Sequence, residues 1–174
     1  MVRPVDVSHD DIVATLENPV DRKIALAILQ AFANNELTYQ ARTMYKPSNI
    51  VEPDDYRVFC YIKKSKEALI INTKWDNLFR LQVRILNQST FEKLDEYSEN
   101  IRNQILNAGD CGNCPCKKKV TYDFAYKGKQ YQKCHMICSN FWFCNFNEND
   151  IDSIIDIIKR EIEYSNPKQA KRSV

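Results

Sequence analysis

From Asn18 onward, apolar residues recur at helical spacing. Ile24, Ile28, Ala31 and Phe32 form a stripe that Ala25, Leu26, Ala27 and Leu29 widen, which predicts a helix to about Asn34, buried on much of its surface. Asn18 suits its N-cap, Pro19 its first turn, and Asp21 the positive end of its dipole. Ser8 followed by Asp11 predicts a shorter helix near residues 9–16. The period then drops to two. Leu37, Tyr39, Ala41, Thr43 and Tyr45 alternate with Thr38, Gln40, Arg42 and Lys46, the pattern of a strand with one wet face. A polar stretch containing Pro47 and Pro53 predicts a loop. Strands follow over residues 56–63, 68–73 and 78–85, with a turn at Ser65-Lys66-Glu67, and their short connections require antiparallel neighbours. In the last of them Phe79, Leu81, Val83 and Ile85 point one way and Arg80, Gln82 and Arg84 the other.

Ser89 and Glu92 form a capping-box pattern for a helix over residues 90–107, striped by Phe91, Leu94, Tyr97, Ile101 and Ile105 and stopped at Gly109. A β-hairpin is predicted next, with strands over residues 119–126 and from Tyr131 onward, turning at Lys127-Gly128-Lys129. Residues 141–146 are too apolar on both faces for an edge strand. Asn147 caps a final helix with Asp150 in its first turn. Ile151, Ile154, Ile155, Ile158 and Ile162 face inward on that helix, while Lys159, Arg160 and Glu163 stay wet. The fold class that follows is α+β: one mostly antiparallel β-sheet with helices packed on a face, plus a cysteine-bearing β-hairpin. One domain is expected over residues 1–166, with a cysteine hairpin subsite at 111–138 and a disordered basic tail at 167–174.

Composition narrows the chemistry. A chain of 174 residues, 44% hydrophobic and 28% charged, has the make-up of an ordinary globular protein with a proper core. A net charge of +2 gives no strong field, so nucleic acid is neither implied nor excluded. No apolar run approaches the ~20 residues that span a bilayer, and the amino terminus has no signal-like segment, so no membrane partner and a cytoplasmic location are expected. The 3 glycines rule out a Walker loop or a dinucleotide fingerprint, and the 2 histidines rule out a histidine-rich metalloenzyme. His9 beside Asp10, and carboxylate pairs such as Asp54-Asp55 and Glu148/Asp150, are explained by caps and solvated surface.

The 7 cysteines carry the most chemistry. In a reducing compartment they are thiols or ligands rather than a disulfide framework. Cys111-Gly112-Asn113-Cys114-Pro115-Cys116 is answered across the hairpin by Cys134-His135-Met136-Ile137-Cys138. Cys-x2-Cys supplies two tetrahedral zinc ligands from one turn, so Cys111, Cys114, Cys116 and Cys134 are the preferred structural zinc set, with Cys138 and His135 as substitutes. Cys138 alternates with Trp142, Cys144 and Phe146 and also fits the core, while Cys60, between Val58 and Ile62, reads as core. Free thiols, a redox pair of Cys111 and Cys114, and iron–sulfur ligation remain open, although a Cys-x2-Cys after a helix end lacks the helix N-terminus that stabilises a thiolate. Lys117, Lys118 and Lys119 offset thiolate charge beside the cluster. A second candidate is the wet sheet face. Arg80 and Arg84, with Lys74 and Arg57 and with Tyr56, Trp75 and Phe79 nearby, would make a nucleic-acid surface, or simply a solvated face.

The stretch Cys116-Lys117…Tyr126-Lys127-Gly128-Lys129-x-Tyr131-x-Lys133-Cys134, then the aromatic residues 141–146 and the helix over 147–164, resembles uncharacterised cysteine-bearing small α/β domains of Gram-positive bacteria. The resemblance spans mostly residues 111–164 and implies a fold but no catalytic residue. The expected function is therefore binding of a protein or small ligand by a domain with a structural zinc. A thiol redox enzyme using Cys111 and Cys114, or nucleic-acid binding through Arg80 and Arg84, are the alternatives.

Overall fold

Capping residues set the helices where the periodicity predicts them. The structure, a computed structural model, describes residues 3–4, 7–45, 51–63, 66–75, 78–108, 121–134 and 140–165. Helix α1 (His9–Ala14) starts at a complete capping box: Asp11 N–H donates to Ser8 Oγ at 3.1 Å and Ser8 N–H to Asp11 Oδ2 at 3.0 Å. Helix α2 (Pro19–Asn34) begins with Val20 N–H donating to Asn18 Oδ1 at 2.8 Å. Ile24, Ala25, Ile28, Leu29 and Phe32 form its buried stripe.

The strands are β1 (Arg3–Pro4), β2 (Thr38–Tyr45), β3 (Val51–Lys63), β4 (Lys66–Trp75), β5 (Leu78–Arg84), β6 (Thr121–Tyr126), β7 (Lys129–Cys134) and β8 (Asn140–Cys144). Six of them form an antiparallel sheet in the order β1-β2-β3-β4-β5-β8, and β6-β7 is a separate hairpin. Register lines up two apolar rows across the main sheet. Ala41, Val58, Ile71, Leu81 and Phe143 make one, and Tyr39, Cys60, Leu69, Val83 and Phe141 the other. These rows meet α2 and the last helix, α5 (Ile151–Ser165), in one core cluster with Ile28, Phe32, Ile154, Ile157 and Ile158. The protein is α+β, with its helices gathered on one face of an antiparallel sheet.

Three expectations change. The proline-containing loop is shorter than predicted, because β3 already starts at Val51; the register shift between Thr43 and Tyr45 accommodates Pro53, which cannot donate to a regular ladder. The helix expected over 90–107 is broken. A turn of helix α3 (Ser89–Glu92) and a 3-10 turn (Leu94–Glu96) lead to Tyr97 in extended backbone (φ −85°, ψ 151°), and helix α4 (Glu99–Asn107) starts afresh. Ser89 is no cap; its N–H and hydroxyl both donate to Asn87 Oδ1, at 3.1 and 2.8 Å. Ser98 caps instead, accepting from Ile101 N–H at 3.3 Å while donating to the fully buried Asp150 at 2.5 Å. Finally, β8 is the outermost described strand rather than a central one, and Trp142 on it is 40% exposed. The side chain of Gln104 covers part of that edge, bonding Cys144 N–H at 2.9 Å and Cys144 C=O at 3.0 Å.

The hairpin turn needs positive φ at both central positions, and Lys127 (48°) and Gly128 (77°) provide it. Asn147 caps a 3-10 turn (Glu148–Asp150) that feeds α5. The buried Glu161 of α5 accepts from Leu86 N–H at 2.8 Å and Asn87 N–H at 3.0 Å, holding the exit of β5. The predicted stop at Gly109 and the tail at 167–174 lie outside the described residues.

Candidate functional site

The alternation that buries one face of the sheet sends a different set of side chains to the other. Opposite the core rows, register aligns Arg42, Arg57, Asn72, Arg80 and Cys144 on five successive strands. With strands about 4.8 Å apart, Arg42 and Arg80 stand about 14 Å apart along this row. The adjacent row, two residues along and so about 7 Å away, is Gln40, Phe59, Ile70, Gln82 and Trp142. Arg84 shares the face. Ile70 is 3% exposed yet lies outside the helix-side core cluster, which marks the two faces as separate. Among the described residues no helix packs on this face.

The guanidinium groups are ordered by their neighbours. Arg42 sits 4.5 Å from the centroid of the Phe59 ring and Arg57 5.3 Å from it, so one ring orders two cations. Arg42 Nε and Nη2 also donate to Gln40 Oε1 at 3.0 and 2.7 Å. Asn72, between Arg57 and Arg80, is 2% exposed, and neither atom of its amide has a hydrogen-bond partner among the described residues. Gln82 Oε1, also buried, has no hydrogen-bond partner among the described residues either. Among the described side chains of this face there are cations and no carboxylate. Asp21, Glu92, Asp95, Glu96, Glu99, Asp152, Asp156 and Glu163 belong instead to the helical layer.

The hairpin docks elsewhere, on α3 and α4. Phe124 stacks on Phe91 at 4.6 Å and on Tyr131 at 5.3 Å, and Tyr126 Oη donates to Asp95 at 2.7 Å. Lys133 completes the contact. It is 2% exposed, and its ammonium donates to Leu106 C=O at 2.9 Å and to Ala108 C=O, the orphan carbonyls at the end of α4.

No known protein family, curated protein or solved structure matches this chain.

Of the cysteines expected to bind metal, Cys111, Cys114 and Cys116 lie outside the described residues, as do Cys138 and His135. Cys134 ends β7, in register with Thr121. Among the described residues no group of three or more His, Cys, Asp or Glu side chains is gathered for a metal ion. Cys60 is fully buried, as its alternation predicts. His9 packs its ring 4.9 Å from that of Tyr39.

Of the cationic candidates, Arg57 and Arg80 share one row and Arg84 follows on β5. The aromatic partners expected for them change. Phe79 is core, 6% exposed and 5.7 Å from Phe146; Tyr56 packs against the core side; the side chain of Trp75 lies outside the described residues. Phe59 and Trp142 take their place. The parity of Phe59 between the buried Val58 and Cys60 marks it in the sequence, and Arg42 is marked by the wet side of its strand. Among the described residues no helix is long and apolar enough to cross a membrane.

Proposed function

We propose that this protein is a binding domain that takes a polymeric anion on the helix-free face of its sheet. The row of Arg42, Arg57 and Arg80 in register carries the reading. Three cations on a rigid pleat present about 14 Å of ordered positive charge, and Phe59 restrains two of them before any ligand arrives. Guanidinium groups bind phosphate by paired N–H donors, which favours arginine over lysine at such positions. The test is calorimetric titration with inorganic polyphosphate at about 50 and about 200 mM salt. Affinity falls on the order of tenfold across that range, and substituting Arg42→Gln, Arg57→Gln and Arg80→Gln together removes most of it. No binding, or a triple variant that binds like the parent, refutes the reading.

A specific observation also favours structural zinc at the cysteine hairpin. Lys133 fastens the residue before Cys134 to Leu106 and Ala108. Cys111 follows Ala108 by three residues, a chain reach of at most about 11 Å. Cys116 precedes Thr121, the register partner of Cys134, by five. Chain length alone leaves both thiol segments within reach of one end of the hairpin, where zinc held by Cys111, Cys114, Cys116 and Cys134 would tie it to α4. Elemental analysis of protein purified under reducing conditions tests this: one equivalent of zinc with protected thiols supports it. Metal-free protein with a reversibly oxidised Cys111–Cys114 pair replaces it with a redox role.

A further inference from the structure

We infer that Glu161 makes the exit of β5 a pH-sensitive latch, closed in mild acid and opening more readily toward neutral pH, and that the hairpin loosens with it. The latch is independent of what the arginine row binds. Glu161 stands on α5 one turn before the helix ends at Ser165, and is 2% exposed. Its Oε2 accepts from Leu86 N–H at 2.8 Å and its Oε1 from Asn87 N–H at 3.0 Å. These donors favour an ionised carboxylate, and they also suit a protonated carboxyl, which keeps acceptor capacity. The surroundings oppose the charge. Among the described residues no ion pair compensates it, and the negative end of the α5 dipole is one turn away.

The charged and titratable groups of the elements packed around α5 are engaged elsewhere. On α5 itself Arg160 is bonded to Asp156, and Lys159 and Glu163 are exposed. Tyr97 also meets α5 at Asp156. At the opposite end of the helix Asp150 is bonded to Ser98 and Asn100, and Glu148 to Lys23. The α2 sequence has no charged residue between Lys23 and Glu36. On the core side β3 brings the phenol of Tyr56 and the buried thiol of Cys60. Arg80 and Arg84 leave β5 on the opposite face, Glu92 is exposed, and Lys93 is paired with Glu96. Burial therefore dominates, and raises the Glu161 carboxyl to about 7 against the pull of the two N–H groups.

The latch holds the root of the hairpin's dock. Asn87 Oδ1 accepts from the N–H and hydroxyl of Ser89 at 3.1 and 2.8 Å, and Asn87 C=O accepts from Thr90 N–H at 3.1 Å. These bonds seat α3, whose Phe91 stacks on Phe124 of β6 at 4.6 Å, and Gln88 Nε2 donates to Asp123 C=O at 3.4 Å. One segment, residues 86–91, thus joins Glu161 to the hairpin. Opening it exposes the carboxyl to water, where a glutamate titrates near its ordinary value of 4.5. Linkage then sets the profile. The opening equilibrium rises about tenfold per pH unit between about 4.5 and about 7, and is level above that.

The experiment is amide exchange of the full chain followed by NMR from about pH 5 to about pH 8, with each rate corrected for base catalysis. Leu86, Asn87 and the amides of β6 and β7 lose protection about tenfold per pH unit up to about 7 and no further. They stay less protected than β3 and β4 throughout, because the latch opens without the sheet. Glu161→Gln keeps an acceptor for both N–H groups and cannot ionise, so its profile is flat. The carboxyl carbon of Glu161 in the parent protein titrates near 7, which keeps the test decisive should the variant not fold. A carboxyl that titrates near 4.5, or protection at Leu86 and Asn87 that ignores pH, overturns the latch. So does a Glu161→Gln profile like the parent's, a hairpin that does not follow residues 86–87, or protection equal to that of β3 and β4 throughout.

Discussion

Replacing Lys133 by Met isolates the contact that holds the hairpin to the body of the protein. Met keeps an unbranched apolar stem of similar length and deletes only the ammonium. In the native fold that ammonium is 2% exposed and bonds two carbonyls, Leu106 C=O at 2.9 Å and Ala108 C=O. Hydrogen bonds to a charged group contribute about 1.5–3 kcal/mol each, and a cation at a helix C-terminus about 0.3–2 kcal/mol more. Against this stands the cost of desolvating the ammonium, several kcal/mol, which the variant no longer bears. The net loss is therefore about 2 kcal/mol, a fall of roughly 4–8 °C in Tm for a chain of this size. The stack of Phe91, Phe124 and Tyr131 remains, so the hairpin loosens rather than detaches. Thermal unfolding gives the total, and amide exchange locates it: β6 and β7 exchange faster while β3, β4 and β5 are unchanged. A variant with parental Tm and parental exchange in the hairpin would show that the buried ammonium stabilises nothing.

Other outcomes follow from the same structure. Burial pushes the Glu161 carboxyl up to about 7, although the Leu86 and Asn87 N–H groups pull it the other way. The folded state therefore keeps a proton that the unfolded chain gives up above about 4.5. The stability it supplies below that pH is lost as pH rises through about 7; Glu161→Gln flattens the decline, as denaturant titrations at about pH 5 and about pH 8 would register. Asp21, raised by burial to about 6, leaves a smaller slope of the same sign. Ser98→Ala removes the cap of α4 and a bond to the buried Asp150, lowering stability by about 1–2 kcal/mol in urea melts. A zinc chelator under reducing conditions raises amide exchange in β6 and β7 and spares the central strands; unchanged exchange would count against structural zinc at the cysteines.

Local chemistry made much of the fold legible. Asn18 with Pro19, Ser8 with Asp11, and the parity of β2, β3 and β5 each announce their element without tertiary help. The break near Tyr97 is hidden for a physical reason. Phe91, Leu94, Tyr97, Ile101 and Ile105 keep helical spacing straight through it, and all are buried. The break is set by a long-range partner: Ser98 N–H donates to Ser153 Oγ at 2.8 Å and Ser98 Oγ to Asp150. The arginine-bearing face is half legible. Parity puts Arg80 and Arg84 on the wet side of β5, but only register reveals that Arg42 and Arg57 stand in line with Arg80. Nearness in sequence is a poor guide to the rings beside them, because in a pleated strand the next residue faces the opposite side, as Phe79 does.

The most direct test of the account is a map of where a ligand touches. In an NMR titration with inorganic polyphosphate, the side-chain N–H groups of Arg42, Arg57 and Arg80 should shift together, while amides of α2 and α5 stay in place. Shifts confined to the helical layer, or none at all, would contradict it.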